Sequence, residues 1–346
     1  MLRMGASGVR PQRILVVNTA RIGDVLFSTP AIHGLRAAFP EVRIEALCHP
    51  GRADVLRNNP DIARLRAYGL WELLYGLCLG RKRYDLSFIF ASNRKGMAYA
   101  RAVGKLTIGF AEADKSMNSR LDVAVPRPTA PLHAVDERLL LLQPLGISAT
   151  DRSLVYRVSE EERAYAGAFM ERAGRQPGIR AIGFQVAGFP TRAFRDWPEE
   201  RFVELGRTIL QRIRAKILLF GDAHGAAKAK RIAAALGPES IMLAGRTGLR
   251  QFVALMDACD AFVTTETGPM HLAFAVGVPT VALLHCITPA TLLGPTAHAE
   301  RHRLIQMEPP PGTTCGKHLG LGQLASDRAW DALADILRNA TGRADR

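Results

Sequence analysis

The chain has 346 residues, 48% of them hydrophobic and 23% charged, with 46 Lys and Arg against 32 Asp and Glu for a formal net charge of +14. That composition excludes intrinsic disorder, and the length suggests two domains, each able to bury its own core. No apolar run approaches the roughly 18 residues of a membrane span, and the basic start MLRMGASGVRPQ leads into only four apolar residues, Ile14–Val17, too few for a signal-peptide core.

Strand-like and helix-like segments alternate from there. Ile14–Val17 is a short β run, and Asp24–Phe39 carries helical spacing through Val25, Leu26, Leu35 and Ala38. Pro30 predicts a kink or a short first segment in that helix. Arg43–Cys48, Tyr84–Phe90 and Leu106–Phe110 read as strands, with helices expected at Leu70–Leu79 and Arg94–Val103. A helical region follows at His133–Leu145 and Ser159–Ala173, the second opening on Ser159-Glu160-Glu161-Glu162, a capping-box pattern.

Gly174-Arg-Gln-Pro-Gly178 reads as a linker or sharp turn. Past it, strands are expected at Ile179–Val186, Lys216–Phe220, Ile241–Ala244, Ala261–Thr265 and Thr280–Leu284. Helices are expected at Pro198–Leu210, His224–Leu236, Leu249–Cys259, Pro269–Val276 and near Asp327–Leu337. Short apolar strands alternating with helices predict parallel βαβ units. The expected fold is α/β, two doubly wound Rossmann-like domains, residues 1–175 and 176–346, facing each other across a cleft. In such sheets ligands sit beyond the carboxyl ends of the strands.

Three strand-to-helix turns carry polar residues suited to chemistry. In Asn18-Thr19-Ala20-Arg21-Ile22-Gly23-Asp24, Asp24 is a candidate general base or a plain helix cap. The segment lacks both GxGxxG and GxxxxGK[ST], so it matches neither a dinucleotide fingerprint nor a P-loop. In Thr191-Arg192-Ala193-Phe194-Arg195-Asp196-Trp197-Pro198, the two Arg forks suit a pyrophosphate, or else pair on the surface with Asp196, Glu199 or Glu200. In Thr264-Thr265-Glu266-Thr267-Gly268-Pro269-Met270-His271, Gly268-Pro269 opens a helix whose amides and dipole favour phosphate. His271 either reaches the same anion or is a buried core residue, in which case Glu266 caps the helix.

The weaker signals are judged against these. The five cysteines (Cys48, Cys78, Cys259, Cys286, Cys315) form no CxxC pair, so neither a disulfide scaffold nor a zinc module is expected, and a reducing cytoplasm suits this usage. His285-Cys286 and Cys315-Gly-Lys-His318 hold metal-ligand atoms, but one Cys and one His each, and no metal site is predicted. Gly221-Asp222-Ala223-His224 either touches a nucleotide or caps the next helix. The positive charge is spread, +9 over residues 1–175 and +5 over 176–346, with Arg81-Lys82-Arg83 the compact run. With 7% aromatics and no recognised module, a nucleic-acid partner is not expected.

Together, RILVVNTARIGDVLFSTPAIHGLRAAFP, RDWPEERFVEL and LMDACDAFVTTETGPMHLAFAVGVPTVAL resemble the bacterial heptosyltransferases of glycosyltransferase family 9 nearly end to end. The resemblance implies a GT-B fold with the acceptor in the N-terminal half and the nucleotide sugar in the C-terminal half. It implies an inverting, metal-independent transfer of heptose from ADP-heptose to a lipopolysaccharide inner-core acceptor, with no cofactor. Asp24 matches the family's base. Thr191, Arg192 and Arg195 match its donor-phosphate loop, and Glu266, Thr267, Gly268 and His271 its phosphate turn. Thr247 is added to the donor set, and Arg21, Gly23 and Arg120 to the acceptor set; the acceptor surface is expected on the loops Ser92–Arg101 and Glu112–Arg120.

Three positions depart from the family. Arg195 stands where Lys is usual, Glu266 where Asp is usual, and Gly225-Ala226-Ala227-Lys228 lacks the carboxylate expected to hold the ribose. The alternatives are a family member with another nucleotide sugar or acceptor, or a non-catalytic GT-B binding protein. A cytoplasmic monomer is expected, touching the inner membrane face peripherally where an anionic lipid-linked saccharide is the acceptor.

Overall fold

A computed structural model describes residues 10–78, 82–91, 93–188 and 190–339, without the side chains of residues 75, 77, 190 and 192. Most of the basic N-terminal start, Leu79, Arg81 of the basic run and Ser92 of the acceptor loop lie outside the described residues. The chain divides into two compact units, Met1–Arg157 and Val158–Arg346.

The first unit is a six-stranded parallel sheet of β1 (Arg13–Asn18), β2 (Arg43–Cys48), β3 (Arg64–Ala67), β4 (Tyr84–Ala91), β5 (Gly104–Phe110) and β6 (Val123–Val125), in the order β3-β2-β1-β4-β5-β6. The chain reverses its direction of travel across the sheet between β1 and β4, the switch point where doubly wound folds bind ligands. A near-continuous apolar strand such as RILVV is what a central parallel strand needs, since both its faces are covered. Ile14 and Val16 pack on Ala31, Ile32, Leu35 and Phe88 on one face. Leu15 and Val17 pack on Met97, Ala100 and Val103 on the other. Each such fully buried side chain contributes about 1.5–3 kcal/mol.

The second unit repeats the plan with β7 (Arg180–Gln185), β8 (Ala215–Phe220), β9 (Ser240–Met242), β10 (Ala261–Thr265), β11 (Thr280–Leu284) and β12 (His302–Gln306). The order is β12-β11-β10-β7-β8-β9, again all parallel, with the switch point between β7 and β10. Ile182 and Phe184 of β7 meet Trp197, Phe202, Leu205 and Ile209 in its largest apolar cluster.

The expected strands and helices are present to within a few residues, and Pro30 acts as foreseen. The predicted single helix is two, Ile22–Phe27 and Thr29–Ala38, broken at Ser28 with Pro30 in the first turn of the second. Three strands were not anticipated: β3 (RLRA), β6 (VAV) and β12 (HRLIQ). All are sheet edges with one neighbour, so none needs the apolar run that marks a central strand.

The boundary differs as well. The linker reading placed the join at residue 175, whereas the units part between Arg157 and Val158. The helix Glu160–Arg172, capped by the predicted Ser159–Glu162 box, belongs to the second unit because Glu162 pairs with Arg250 at 2.5 Å. Gly174–Gly178 is a turn within that unit, secured where Arg175 and Arg180 both reach Asp260.

A buried polar cluster ties the edge of the first sheet together. Glu45 on β2 accepts from Arg66 Nε at 2.6 Å and from the Tyr84 hydroxyl at 2.7 Å. Arg66 Nη1 continues to Glu72 at 2.9 Å, and Glu72 also accepts from the Tyr99 hydroxyl at 2.6 Å. Burial by itself would raise the Glu45 carboxyl, but the bonds from Arg66, Tyr84 and Arg43 outweigh it and hold the group at about 2.

Candidate functional site

Polar side chains gather where the two sheets reverse. In the first unit, β1 ends on Asn18, where its register with β4 shifts. The buried Asn18 amide donates to the Asp24 carbonyl at 2.9 Å, while its Oδ1 accepts from the Ala20 amide at 3.2 Å. These bonds fold Thr19–Gly23 into a tight turn that delivers Asp24 to the first turn of Ile22–Phe27.

Asp24 is not the cap of that helix. The N-cap is Arg21, with no side-chain capping bond. The Asp24 carboxylate is 39% exposed and lies 3.3 Å from Arg138 Nη2, whose own side chain is 10% exposed and also pairs with Glu137 at 2.8 Å. A half-exposed carboxylate with one cationic neighbour can accept a proton from an incoming group, which a buried cap could not. Arg138 was missed by sequence reasoning, being 114 residues from Asp24 in an unremarkable helix. Arg120 lies just past Lys115–Asn118, where its guanidinium donates to the Ser116 carbonyl.

In the second unit, the turns after β7 and β10 meet. Arg195 Nη1 lies 3.0 Å from Glu266 Oε1, with side chains 14% and 1% exposed. Arg195 Nη2 also donates to Thr288 Oγ1 at 3.1 Å, on the loop after β11. The surface pairing considered for Arg195 is therefore replaced by a buried one. Asp196 accepts from the Gly188 amide at 3.0 Å, and Glu199 pairs with Arg231 at 2.7 Å. A Cβ on Gly188 would sit 3.0 Å from both Asp196 Oδ1 and Thr267 Cγ2, so glycine lets these loops lie together. Thr191 is exposed in the short 3-10 turn Pro190–Arg195, and the Arg192 side chain lies outside the described residues.

Thr267, not Glu266, is the N-cap of the helix Gly268–Val276; it makes no side-chain capping bond, and Pro269 sits in the first turn. The first amides of such a helix are therefore not spent on their own cap. His271 is buried at 5% exposure, its ring edge-on to Phe274 at 6.3 Å. Thr247 lies in the turn after β9, between Gly245 and Gly248. Asp222 caps its own turn by accepting from Gly225 N at 3.0 Å. Where a ribose-binding carboxylate was looked for, Lys228 is largely buried and donates to the Trp197 carbonyl. Burial pushes the Asp196 carboxyl up and the Lys228 ammonium down.

The cysteine expectation needs correction. Cys286, just after β11, forms a disulfide with Cys315, while Cys48, Cys78 and Cys259 are thiols, outside any disulfide. The pair is 29 residues apart in sequence, and its loops are brought side by side where His285 Nε2 bonds the Leu319 carbonyl at 2.9 Å.

Two all-parallel sheets of Rossmann order, each with its own switch point, give the chain the two-domain plan of the GT-B class. A family model for glycosyltransferase family 9 (heptosyltransferase) matches residues 77–313, and the chain belongs to that family. It is 27% identical over 290 residues to lipopolysaccharide heptosyltransferase 2 of Escherichia coli (strain K12), covering 78% of this chain and 82% of that protein. The Salmonella typhimurium protein of the same name is 26% identical over 94% of this chain and 98% of its own. Among solved structures, a family 9 glycosyl transferase from Veillonella parvula DSM 2008 superposes with a TM-score of 0.81, at 22% identity over 95% of this chain and 97% of that one. The structure of E. coli ADP-heptose lps heptosyltransferase II superposes with a TM-score of 0.77, at 24% identity over 94% and 99%.

Proposed function

We propose that this glycosyltransferase moves a heptose from ADP-heptose to a lipopolysaccharide inner-core or related acceptor, with inversion at the anomeric carbon. The observation that carries the reading is the Arg195–Glu266 pair beside the Gly268 helix start, at the carboxyl ends of β7 and β10. The names of the relatives support the sugar and the acceptor.

The second unit would bind the donor. Its diphosphate gains negative charge as the glycosidic bond breaks. Arg195, the amides at Gly268 and the helix dipole would stabilise that charge, and Thr191, Arg192, Thr267, His271 and Thr247 would complete the donor surface. Glu266 orients Arg195 and is one methylene from the sugar-binding role of the shorter Asp. The first unit would bind the acceptor around Arg21, Gly23 and Arg120. Asp24 would accept the proton of the acceptor hydroxyl as that oxygen attacks the anomeric carbon on the face opposite the leaving diphosphate. Such help contributes about 10²–10⁴ in rate, and no step is routed through a metal.

An anionic lipid-linked acceptor calls for contact with the inner membrane face. Among the described residues no helix is long and apolar enough to cross a membrane. The helix Leu70–Cys78 instead exposes Leu70, Trp71 and Leu74 (68, 84 and 43%), shortly before the run Arg81-Lys82-Arg83. An exposed Trp and Leu cluster beside basic residues is the composition of an interfacial anchor on anionic lipid.

A thermal-shift screen of ADP, UDP, GDP and their sugars tests the donor, with the largest stabilisation expected from ADP-heptose. A preference for UDP or GDP overturns it. A second reading, a GT-B protein that binds a nucleotide sugar without transfer, is favoured by Glu266 and by Lys228 at the ribose position. Binding of ADP-heptose without turnover on any lipid-linked acceptor supports that reading.

A further inference from the structure

We infer that His285, Cys286 and Cys315 form a binding site for a soft divalent cation, Zn²⁺ or Fe²⁺, when the two sulfurs are reduced. The three ligand atoms, His285 Nδ1 and the two Sγ, lie within 4.8 Å of one another. The imidazole is fully buried, and its Nε2 is held by the Leu319 carbonyl at 2.9 Å. That bond places the ring proton on Nε2 and leaves the Nδ1 lone pair facing Cys286 Sγ at 3.7 Å. It is the arrangement by which metal-binding histidines are oriented, the far nitrogen donating to a backbone carbonyl.

In the disulfide form the imidazole bonds the Leu319 carbonyl, packs edge-on against Phe194 and accepts a 3.2 Å bond from the Ile287 amide at Nδ1, a bond that a cation would replace. A cation uses all three groups. Tetrahedral ligands at the usual zinc distances of about 2.1 and 2.3 Å stand roughly 3.5–3.8 Å apart, so side-chain rotation of the two half-buried cysteines makes room. A fourth ligand would be water or His318, which lies three residues after Cys315 on the same loop.

Reduction by a dithiol adds two electrons and two protons to the S–S bond and oxidises the reductant to its own disulfide. Binding of the cation then displaces the two thiol protons as the thiolates coordinate. The site would clamp the loop after β11, which carries Thr288 and so Arg195, to the segment before Leu319. That role is structural: the site holds loops in place and supplies no group to the transfer.

The test is a paired count on the full chain purified without oxidant or chelator. The protein is unfolded without reductant, its thiols counted with Ellman's reagent, and its metal measured by mass spectrometry. One equivalent of Zn²⁺ or Fe²⁺ with five reactive thiols is expected. Three thiols and less than about 0.1 equivalent of metal mean a disulfide and overturn the proposal, provided that dithiol-reduced protein then also takes up no Zn²⁺ or Co²⁺ by titration. Cys315→Ser, on a half-buried loop, should lose the metal and the Co²⁺-thiolate absorption while keeping the ADP thermal shift. If Cys315→Ser keeps the metal, the site is elsewhere and the proposal fails.

Discussion

Arg195 Nη1 and Glu266 Oε1 stand 3.0 Å apart at the carboxyl ends of β7 and β10, both side chains largely out of solvent. The free protein therefore holds Arg195, the cation proposed to meet the donor diphosphate, already oriented and paired with a carboxylate. Arg195→Ala removes a charge-assisted contact of about 1.5–3 kcal/mol, so the dissociation constant for ADP, measured by calorimetry, should rise roughly tenfold to a hundredfold. Arg195→Lys should recover part of it. Glu266→Gln leaves the arginine un-neutralised, and ADP is expected to bind a few-fold tighter. An unchanged ADP affinity in Arg195→Ala contradicts the donor assignment.

Asp24 is tested by separating chemistry from binding. Asp24→Asn should lower kcat by about 10²–10⁴ with the calorimetric affinity for ADP unchanged, because the residue belongs to the other unit. Arg138→Met is expected to lower kcat by a smaller factor, since it frees the Asp24 carboxylate from the guanidinium that holds it at 3.3 Å. A matching loss of ADP affinity in Asp24→Asn would sink the base assignment.

Turnover should need no added Mg²⁺ or Mn²⁺. Rates measured with either ion and with neither are expected to agree. A rate that appears only on adding one of them shows that the arginine and helix start do not suffice for the leaving diphosphate.

Acid should destabilise the two units in different windows. Burial lowers His302, beside Phe274, to about 4 from its ordinary 6.5. The unfolded chain takes up that proton first, so the contribution is present above pH 6.5 and lost as pH falls toward 4. Glu45 is held at about 2 against an ordinary 4.5, so its contribution is present above 4.5 and lost as pH falls through 2. Melting temperature followed against pH should fall first through the His302 window, and His302→Phe should flatten that limb. Arg66→Met removes one charged partner of Glu45 and leaves Arg13 and Arg43, each at 3.1 Å, so it should cost about 1.5–3 kcal/mol by urea unfolding.

The proposed membrane contact rests on Trp71, 84% exposed. Cosedimentation with vesicles containing phosphatidylglycerol should weaken about tenfold in Trp71→Glu, and should weaken with salt for the unaltered chain. Binding that ignores both the substitution and the salt contradicts the anchor.

The central strands and their helices were legible because a parallel strand covered on both faces needs a near-continuous apolar run, as Ile14–Val17 and Ala261–Val263 supply. The edges β3 and β12 were not, because a strand with one neighbour can carry Arg64, Arg66 and Arg303, and β6 was not because VAV is only three residues long. The turns holding Asp24, Arg195 and Glu266 were visible as polar residues between a strand and a helix. Their partners Arg138 and Thr288, at separations of 114 and 93 residues, left no local pattern.

The positive charge was the unusual number at the outset, and it remains a property of the whole surface. Local sequence determined the two alternating βα halves, the family and the residues offered at each strand end, since hydrophobic period and turn chemistry act over a few residues. Which partner each of those residues takes was decided only by the folded units, because ion pairing and desolvation depend on which distant segments the sheets bring within 4 Å. Only there did Glu266 become the neighbour of Arg195 instead of a helix cap, and His285, Cys286 and Cys315 a single cluster.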